Sequence, residues 1–336
     1  MDRDAVMQQG LAETMAVPRL SPAARRRQLR EKAIAGFVTA MAFTGIAALV
    51  LIIVFVAKEA LDLFLDAHAR EEASLSKMFL AQPTRPGKPL AFLWQPVSSV
   101  PKVSMIPLFI GTLKTTLVSM LVAVPVGVAA ALFAAEFAPR RMRELLKPVI
   151  ELLAGIPSVV LGFFALMVLA TFLQDTFGFT YRLNAVVAGL GLALAIVPVI
   201  FTVSEDALTA VPRSYREASL ALGATPWETA WKVVLPAAAP GILAACVLGF
   251  GRAIGETMIV LMASGNAAIV SANLGDSVRS LSATIAAEMG EVVVGSPHYS
   301  LLFFIGVELF IFTFILNMLA SAWTRRVLKK LTGGAA

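Results

Sequence analysis

Residues Glu217 to Pro236 read EASLALGATPWETAWKVVLP, a polar insert between two long apolar runs. Its local chemistry predicts two short helices joined by a sharp elbow. Ser214-x-x-Glu217 and Thr225-x-x-Glu228 each have the form of a capping box, in which a hydroxyl and a carboxylate satisfy the free amides at a helix start. Pro226 falls at the first helical position, where its missing N–H leaves nothing unpaired. Gly223 stands where the first helix should stop, because glycine accepts the left-handed conformation found there. On capping alone this is an ordinary helical hairpin between membrane spans. The spacing of Glu217, Ala218, Gly223, Leu235 and Pro236, and the runs on either side, have to say more.

Those runs set the class. Hydrophobic residues make up 58% of the 336, above the roughly half of ordinary soluble chains. They are concentrated in blocks long enough to cross a bilayer, at ~1.5 Å per helical residue against ~30 Å of hydrocarbon. The single cysteine, Cys246, excludes an intrachain disulfide, and two histidines, His68 and His298, are too few for a metal cluster. The formal charge of +6 comes from basic residues beside apolar blocks, which read as topology markers and not as a nucleic-acid surface. No cofactor and no nucleic-acid partner is expected.

Along the chain, residues 1–32 form a polar N-terminal segment rich in arginine, with a helix start at Ser21-Pro22 and no convincing signal-peptide cleavage site. A first transmembrane helix covers 33–57. Residues 58–106 form a mixed-charge loop with Pro83, Pro86, Pro89, Pro96 and Pro101, which cannot be a buried span. A core over 107–325 holds five further spans: Leu108 to Ala135, Pro148 to Leu173, Asn184 to Val203, Gly241 to Ala263 and Tyr299 to Trp323. The polar insert occupies 204–239, and a tail covers 326–336. With the N-terminus inside, Arg140, Arg141, Arg143, Lys147, Arg213, Arg216, Lys232, Arg325, Arg326, Lys329 and Lys330 all face the cytoplasm. The short outer connections then carry only Arg182 and Arg279. Six spans leave both termini and the insert on the cytoplasmic side, and loop 58–106 on the outer side.

Within the spans, Arg252 and Glu256 are four residues apart, a spacing that puts both on one helix face in reach of each other. An arginine at mid-bilayer carries a penalty of about 2.5–3.5 kcal/mol, so Arg252 should face the bundle interior or a watery path. One reading is a structural ion pair. The other is positive potential for a crossing anion, since a guanidinium can bond two phosphate oxygens at once; Glu256 then holds and offsets it. Gly251-x-x-x-Gly255 allows close helix approach. Lys114 is expected to snorkel to the outer interface, Gly155 and Pro157 to break span three, and Glu308 and Asn317 to bond between helices.

The intervals within the insert, Glu-Ala-Ser, then Gly223, then Val233-x-Leu235-Pro236, resemble the EAA loop by which permeases of ATP-binding-cassette importers dock onto their ATPase. From about Pro107 onward the chain resembles the phosphate permeases, most closely the PstC type. The stretches that carry this are Glu136-Phe-Ala-Pro-Arg-Arg, Glu151-Leu-Leu-Ala-Gly-Ile-Pro-Ser-Val-Val and Gly251-Arg-Ala-Ile-Gly-Glu-Thr-Met, with Gly265-Asn266. Sulfate and molybdate permeases usually follow their Arg-x-x-Gly-Glu with Phe-Gly, where Thr257-Met258 stands here.

The resemblance implies an all-α integral membrane protein of the inner membrane, a type I (MetI-like) importer bundle of six transmembrane helices with a cytoplasmic coupling hairpin. It implies a second, PstA-like permease, a PstB-like ATPase dimer, a PstS-like periplasmic phosphate-binding protein landing on 58–106 and 264–298, phosphate as cargo, and surrounding membrane lipid. Arg252 and Glu256 would serve the substrate pathway, and Glu217, Ala218, Gly223, Leu235 and Pro236 the coupling. The chain is not expected to be an enzyme: its one Gly-Lys, Gly87-Lys88, precedes Pro89 and lacks the first glycine of a phosphate loop. A permease for sulfate or molybdate, and a membrane scaffold in phosphate signalling, are the alternatives. A membrane-embedded enzyme is disfavoured by the lack of any nucleophile–base pair.

Overall fold

The computed structural model describes residues 22–66, 69–70, 73–83, 90–98 and 100–331. Residues 1–21 with Ser21, His68, the Pro86 to Pro89 stretch and residues 332–336 lie outside them. The chain divides into two compact units, Met1–Phe55 and Val56–Ala336. The first is carried by the apolar length of helix α1 (Pro22–Leu65), which runs on beyond what a bilayer requires.

In the second unit, the described residues just after α1 form a short helix and two small ribbons. Helix α2 (Leu75–Phe79) is followed by two antiparallel ribbons, β1 (Gln82–Pro83) with β2 (Leu90–Ala91), and β3 (Trp94–Gln95) with β4 (Lys102–Val103). Then come α3 (Ile106–Phe137), α4 (Arg140–Ala154), α5 (Ser158–Phe177), α6 (Ala185–Thr209), α7 (Arg213–Ala221), α8 (Pro226–Gly255), α9 (Met258–Ala263), α10 (Leu281–Glu288) and α11 (Pro297–Leu331). Six helices in the described chain, in α1, α3, α5, α6, α8 and α11, are long and apolar enough to cross a membrane.

Helix α6 is the axis of the second unit. It packs on α3, α4, α5, α8 and α9, and its apolar window is the most buried of the six. Close approach rests on missing side chains: Gly127 of α3 faces Ile200 of α6, and Gly189 of α6 faces Val118 of α3. Among the described residues four apolar clusters make the core, and one of them joins α5 to α6 through Ala165, Leu173, Val187 and Ala188. Leu63, Met78, Trp94, Met105, Leu108 and Leu301 fill one end. Ala123, Leu192, Ile196, Ala253 and Ile259 fill the middle, and Leu132, Phe201, Leu208, Ala230 and Val234 the end that carries the polar insert.

Two expected spans shift. Span three does not begin at Pro148, because Gly155-Ile156-Pro157 ends α4 and residues 148–154 stay with that charged helix, in which no residue is fully buried. The span is Ser158–Phe177 instead, a length that still suits a bilayer. Span five is not one helix from Gly241 to Ala263. Helix α8 stops at Gly255, Glu256 is extended (φ −68°, ψ 131°), and α9 restarts at Met258. At its other end α8 reaches back to Pro226. A π turn over Ala230–Val234, in which the Leu235 amide donates to the Ala230 carbonyl, widens the helix just ahead of Pro236 and lets the proline pass without a break.

Candidate functional site: the coupling hairpin and the membrane arginine

The hairpin is built from its caps. Helix α7 ends in a Schellman closure: the Ala224 amide donates to the Ser219 carbonyl (3.3 Å) and the Gly223 amide to the Leu220 carbonyl (3.0 Å), with Gly223 at φ +86°. Helix α8 opens with the Thr225 box complete. The Glu228 amide donates to Thr225 Oγ1 (3.2 Å) and the Thr225 amide to Glu228 Oε2 (3.1 Å), with Pro226 in the first turn. A hydroxyl bond of 2.9 Å between Ser219 and Thr229 ties the two arms together.

The expected box at Ser214 and Glu217 is absent. Pro212 sets the first turn, α7 begins at Arg213, and Ser214 is left one residue inside the helix, past the capping position. Nor are both arms short, since the second continues as α8. Glu217, Ala218, Gly223 and Pro236 are exposed and Leu235 is half-buried. Leu222 at 90% exposure, with Tyr215, Trp227 and Trp231 each more than half exposed, gives the elbow an apolar outer surface. Trp227 and Trp231 stack with ring centroids 6.1 Å apart.

What holds this elbow to the membrane helices is a set of ion pairs whose basic members, Arg143, Lys147 and Arg216, the sequence offers only as topology markers. Arg216 of α7 donates through Nη2 to Glu136 Oε1 (2.6 Å) at the end of α3. It also donates to the main-chain carbonyls of Leu208 (2.9 Å) and Val211 (2.6 Å), just where α6 ends. One guanidinium therefore fastens the hairpin to two spans. Nearby, the buried Glu205 carboxylate of α6 accepts from Arg143 Nη2 (2.6 Å) and Lys147 Nζ (3.0 Å) of α4, and Lys147 also bonds Asp206 (3.0 Å). The Asp206 and Glu205 carboxylates hold the Lys147 ammonium above its ordinary value. The sequence signal was present: Arg143 and Lys147 share a helix face, and Glu205-Asp206 closes an apolar span.

In the middle of the unit, Arg252 and Glu256 do not pair. The helix break puts Glu256 beyond the last turn of α8, so the four-residue spacing no longer means one face. Arg252 is exposed and lines a cavity of about 660 Å³ between α8 and α11. Its place in the last turn suits the negative end of the helix dipole. The Ser282 hydroxyl donates to the Glu256 carbonyl (2.8 Å), satisfying one group freed by the break. Of the two glycines, Gly251 lies against Asn317 while Gly255 has open space where a side chain would be.

Three other expectations change. Lys114 does not snorkel: it is buried in α3 and donates to the Asn273 carbonyl (2.9 Å) in the connection before α10. The ends come this close because Gly111 lies against the Arg279 main chain, where a Cβ would collide with the carbonyl. Glu308 Oε2 and Asn317 Oδ1 of α11 are buried with no hydrogen-bond partner, so the interhelical bonds expected of them are not made by those atoms. At the end away from the hairpin, Glu288 accepts from Arg279 (2.8 Å), His298 (2.8 Å) and Trp94 Nε1 (3.0 Å). Burial pushes the Glu288 carboxyl up, and these three partners together hold it below its ordinary value.

Comparison with known proteins identifies the family and the fold. Residues 123–333 match the family described as binding-protein-dependent transport system inner membrane component. A Bacillus subtilis protein named "Probable ABC transporter permease protein YqgH" is 37% identical over 313 residues, covering 91% of this chain and 95% of its own. The phosphate transport system permease protein PstC of Mesorhizobium japonicum is 34% identical over 253 residues (70% and 76%). PstC 1 of Mycobacterium tuberculosis is 36% identical over 244 residues (66% and 72%). Among solved structures, a bacterial alginate ABC transporter with an alginate-pentasaccharide-bound periplasmic protein superposes with TM-score 0.58 at 15% identity, over 90% of this chain and 99% of that one. The inward-facing MetNI methionine transporter gives 0.51 at 20% identity (68% and 97%); both likenesses concern the fold alone. The chain belongs to the binding-protein-dependent transport system inner membrane components, the multi-pass, non-catalytic permeases of ABC importers that work with an ATPase and a periplasmic binding protein.

Proposed function

We propose that this chain is the PstC-type permease of an inorganic phosphate importer, with both termini in the cytoplasm and a PstA-like permease completing the path. The observation that carries the substrate is the run Gly251-Arg-Ala-Ile-Gly-Glu-Thr-Met in a chain whose relatives at 34% and 36% identity are named phosphate transport system permease proteins. In this reading a PstB-like ATPase dimer grips the elbow around Glu217, Ala218 and Gly223. Leu235 and Pro236 sit where the second arm passes into the membrane. Closure of the ATPase on ATP moves the elbow as a rigid lever. Rigidity is supported by the Schellman closure, the Ser219–Thr229 bond and the Arg216 anchor. A PstS-like binding protein delivers phosphate at the opposite face.

Arg252 then meets the anion. It has no carboxylate partner among the described residues, lines a cavity, and sits one turn before a break where the helix loses its own hydrogen bonds. Glu256, beyond that break, shapes the turn, and because it does not pair with Arg252 it leaves the guanidinium's charge free for the anion. Reconstitution of the whole importer in vesicles tests this. Wild type should take up labelled inorganic phosphate and not sulfate, and Arg252→Gln should lower uptake at least about tenfold while the complex still assembles, as befits loss of a charge-assisted bond. Sulfate uptake without phosphate uptake would sink the substrate; normal uptake in the variant would remove Arg252 from the path.

A further inference from the structure

The cavity that Arg252 lines continues down the α8–α11 crevice to a second guanidinium. Its walls include Arg252 from α8, and Asn317, Ser321, Thr324 and Arg325 from α11. The spacing is helical: Asn317, Ser321 and Thr324 with Arg325 succeed one another at intervals of three and four, so one face of α11 presents an amide, two hydroxyls and a cation in order. From Asn317 to Arg325 the rise is about 12 Å at ~1.5 Å per residue. No carboxylate lines the cavity, and neither arginine makes an ion pair with a described residue. Asn317 Oδ1 is buried without a hydrogen-bond partner beside Gly251.

Two uncompensated cations around a crevice of about 660 Å³ attract an anion of matching reach. Hydroxyls and an amide beside them suit an oxyanion, whose several oxygens accept from guanidinium and hydroxyl together. We propose that Arg325, with Ser321 and Thr324, forms a second phosphate-type oxyanion site in this cavity, on the far side of Asn317 from Arg252. The proposal rests on the import reading only for its source. A transported phosphate arriving from Arg252 fits, and so does the headgroup phosphate of an anionic phospholipid, because both present the same oxygens. As a second station, Arg325 would draw the anion off Arg252 and keep either site from holding it too tightly.

The test uses the complete importer. Equilibrium binding of labelled inorganic phosphate and uptake into zwitterionic vesicles are measured for wild type, Arg325→Gln, Arg325→Lys and the doubly substituted Ser321→Ala/Thr324→Val, with co-purified phospholipid read by mass spectrometry. Arg325→Gln should weaken phosphate binding or uptake about tenfold, the loss of a charged bidentate contact; Arg325→Lys should lose less. The hydroxyl variant, which keeps charge and shape, should show a smaller loss in the same direction. If instead phosphate handling is untouched but bound phosphatidylglycerol disappears in Arg325→Gln, the site stands and its occupant is the lipid headgroup. Wild-type binding of both phosphate and lipid in all three variants overturns the site. Should the wild-type importer move sulfate and not phosphate, the substrate reading fails alone, and the same variants assayed with sulfate still decide this one.

Discussion

Arg216 illustrates how much one side chain can organise. Its guanidinium meets a carboxylate at the end of α3 and two carbonyls at the end of α6, while its own helix carries the elbow. Side-chain exposures of 21% for Arg216 and 11% for Glu136 mean that water screens the pair only in part. Replacing Glu136 with Gln leaves a half-buried cation without its counter-charge. Loss of one member of a fully buried pair costs about 3–5 kcal/mol, and partial exposure lowers this to about 2 kcal/mol here. We expect Glu136→Gln to lower the thermal midpoint of the purified importer, and to lower transport per ATP hydrolysed by more than the stability loss explains. An unchanged ratio of transport to hydrolysis would reduce the Arg216 tie to a structural brace. Charge alone marked these residues as neighbours of the membrane; which carboxylate meets which cation was open, because Glu136 and Arg216 are brought together only by the folding of three helices.

The hairpin carries its own test. Gly223 is fully open to solvent, with nothing within reach of a Cβ, so a substitution there is judged by backbone conformation and not by space. At φ +86° a β-branched residue is strained by about 1–3 kcal/mol, whereas asparagine enters this region at lower cost. Gly223→Val should therefore release the ATPase from the purified complex, and Gly223→Asn should retain it. Equal ATPase retention by the two variants would separate the elbow's shape from docking. The second arm shows a limit of local reading. The sequence predicts a short second helix, but the π turn at Ala230–Val234 carries that helix past Leu235-Pro236 into the membrane. An i→i+5 turn has no sequence signature as plain as a capping box, because it answers a packing need that arises elsewhere in the helix.

For the whole molecule, the charge pattern implies that the elbow and the β3–β4 turn lie on opposite sides of the membrane. Val97 is 84% exposed and Leu222 is 90% exposed, so both are accessible to a reagent. With the only cysteine, Cys246, replaced by serine, Val97→Cys should react with a membrane-impermeant maleimide in intact spheroplasts. Leu222→Cys should react only in inside-out vesicles. Labelling of both from one side would refute the proposed orientation and the lever with it.

Span number, helical class and the elbow were legible in order along the chain, because runs of apolar residues, caps and glycines act through neighbours a few positions away. The family followed from motif intervals for the same reason. The break after Gly255 was not legible: Gly-Glu-Thr inside an apolar run reads as helix, and only packing of α9 against α5 and α6 with the Ser282 bond to Glu256 makes an interrupted chain the better solution. That break decided that Arg252 and Glu256 part company. The burial of Lys114 and the meeting of Arg252 with Arg325 across one crevice were likewise decided only in three dimensions. Sequence determines what a residue can do and what its near neighbours will support; which distant groups stand opposite it depends on how the helices cross, and that is set by the packing of the entire bundle.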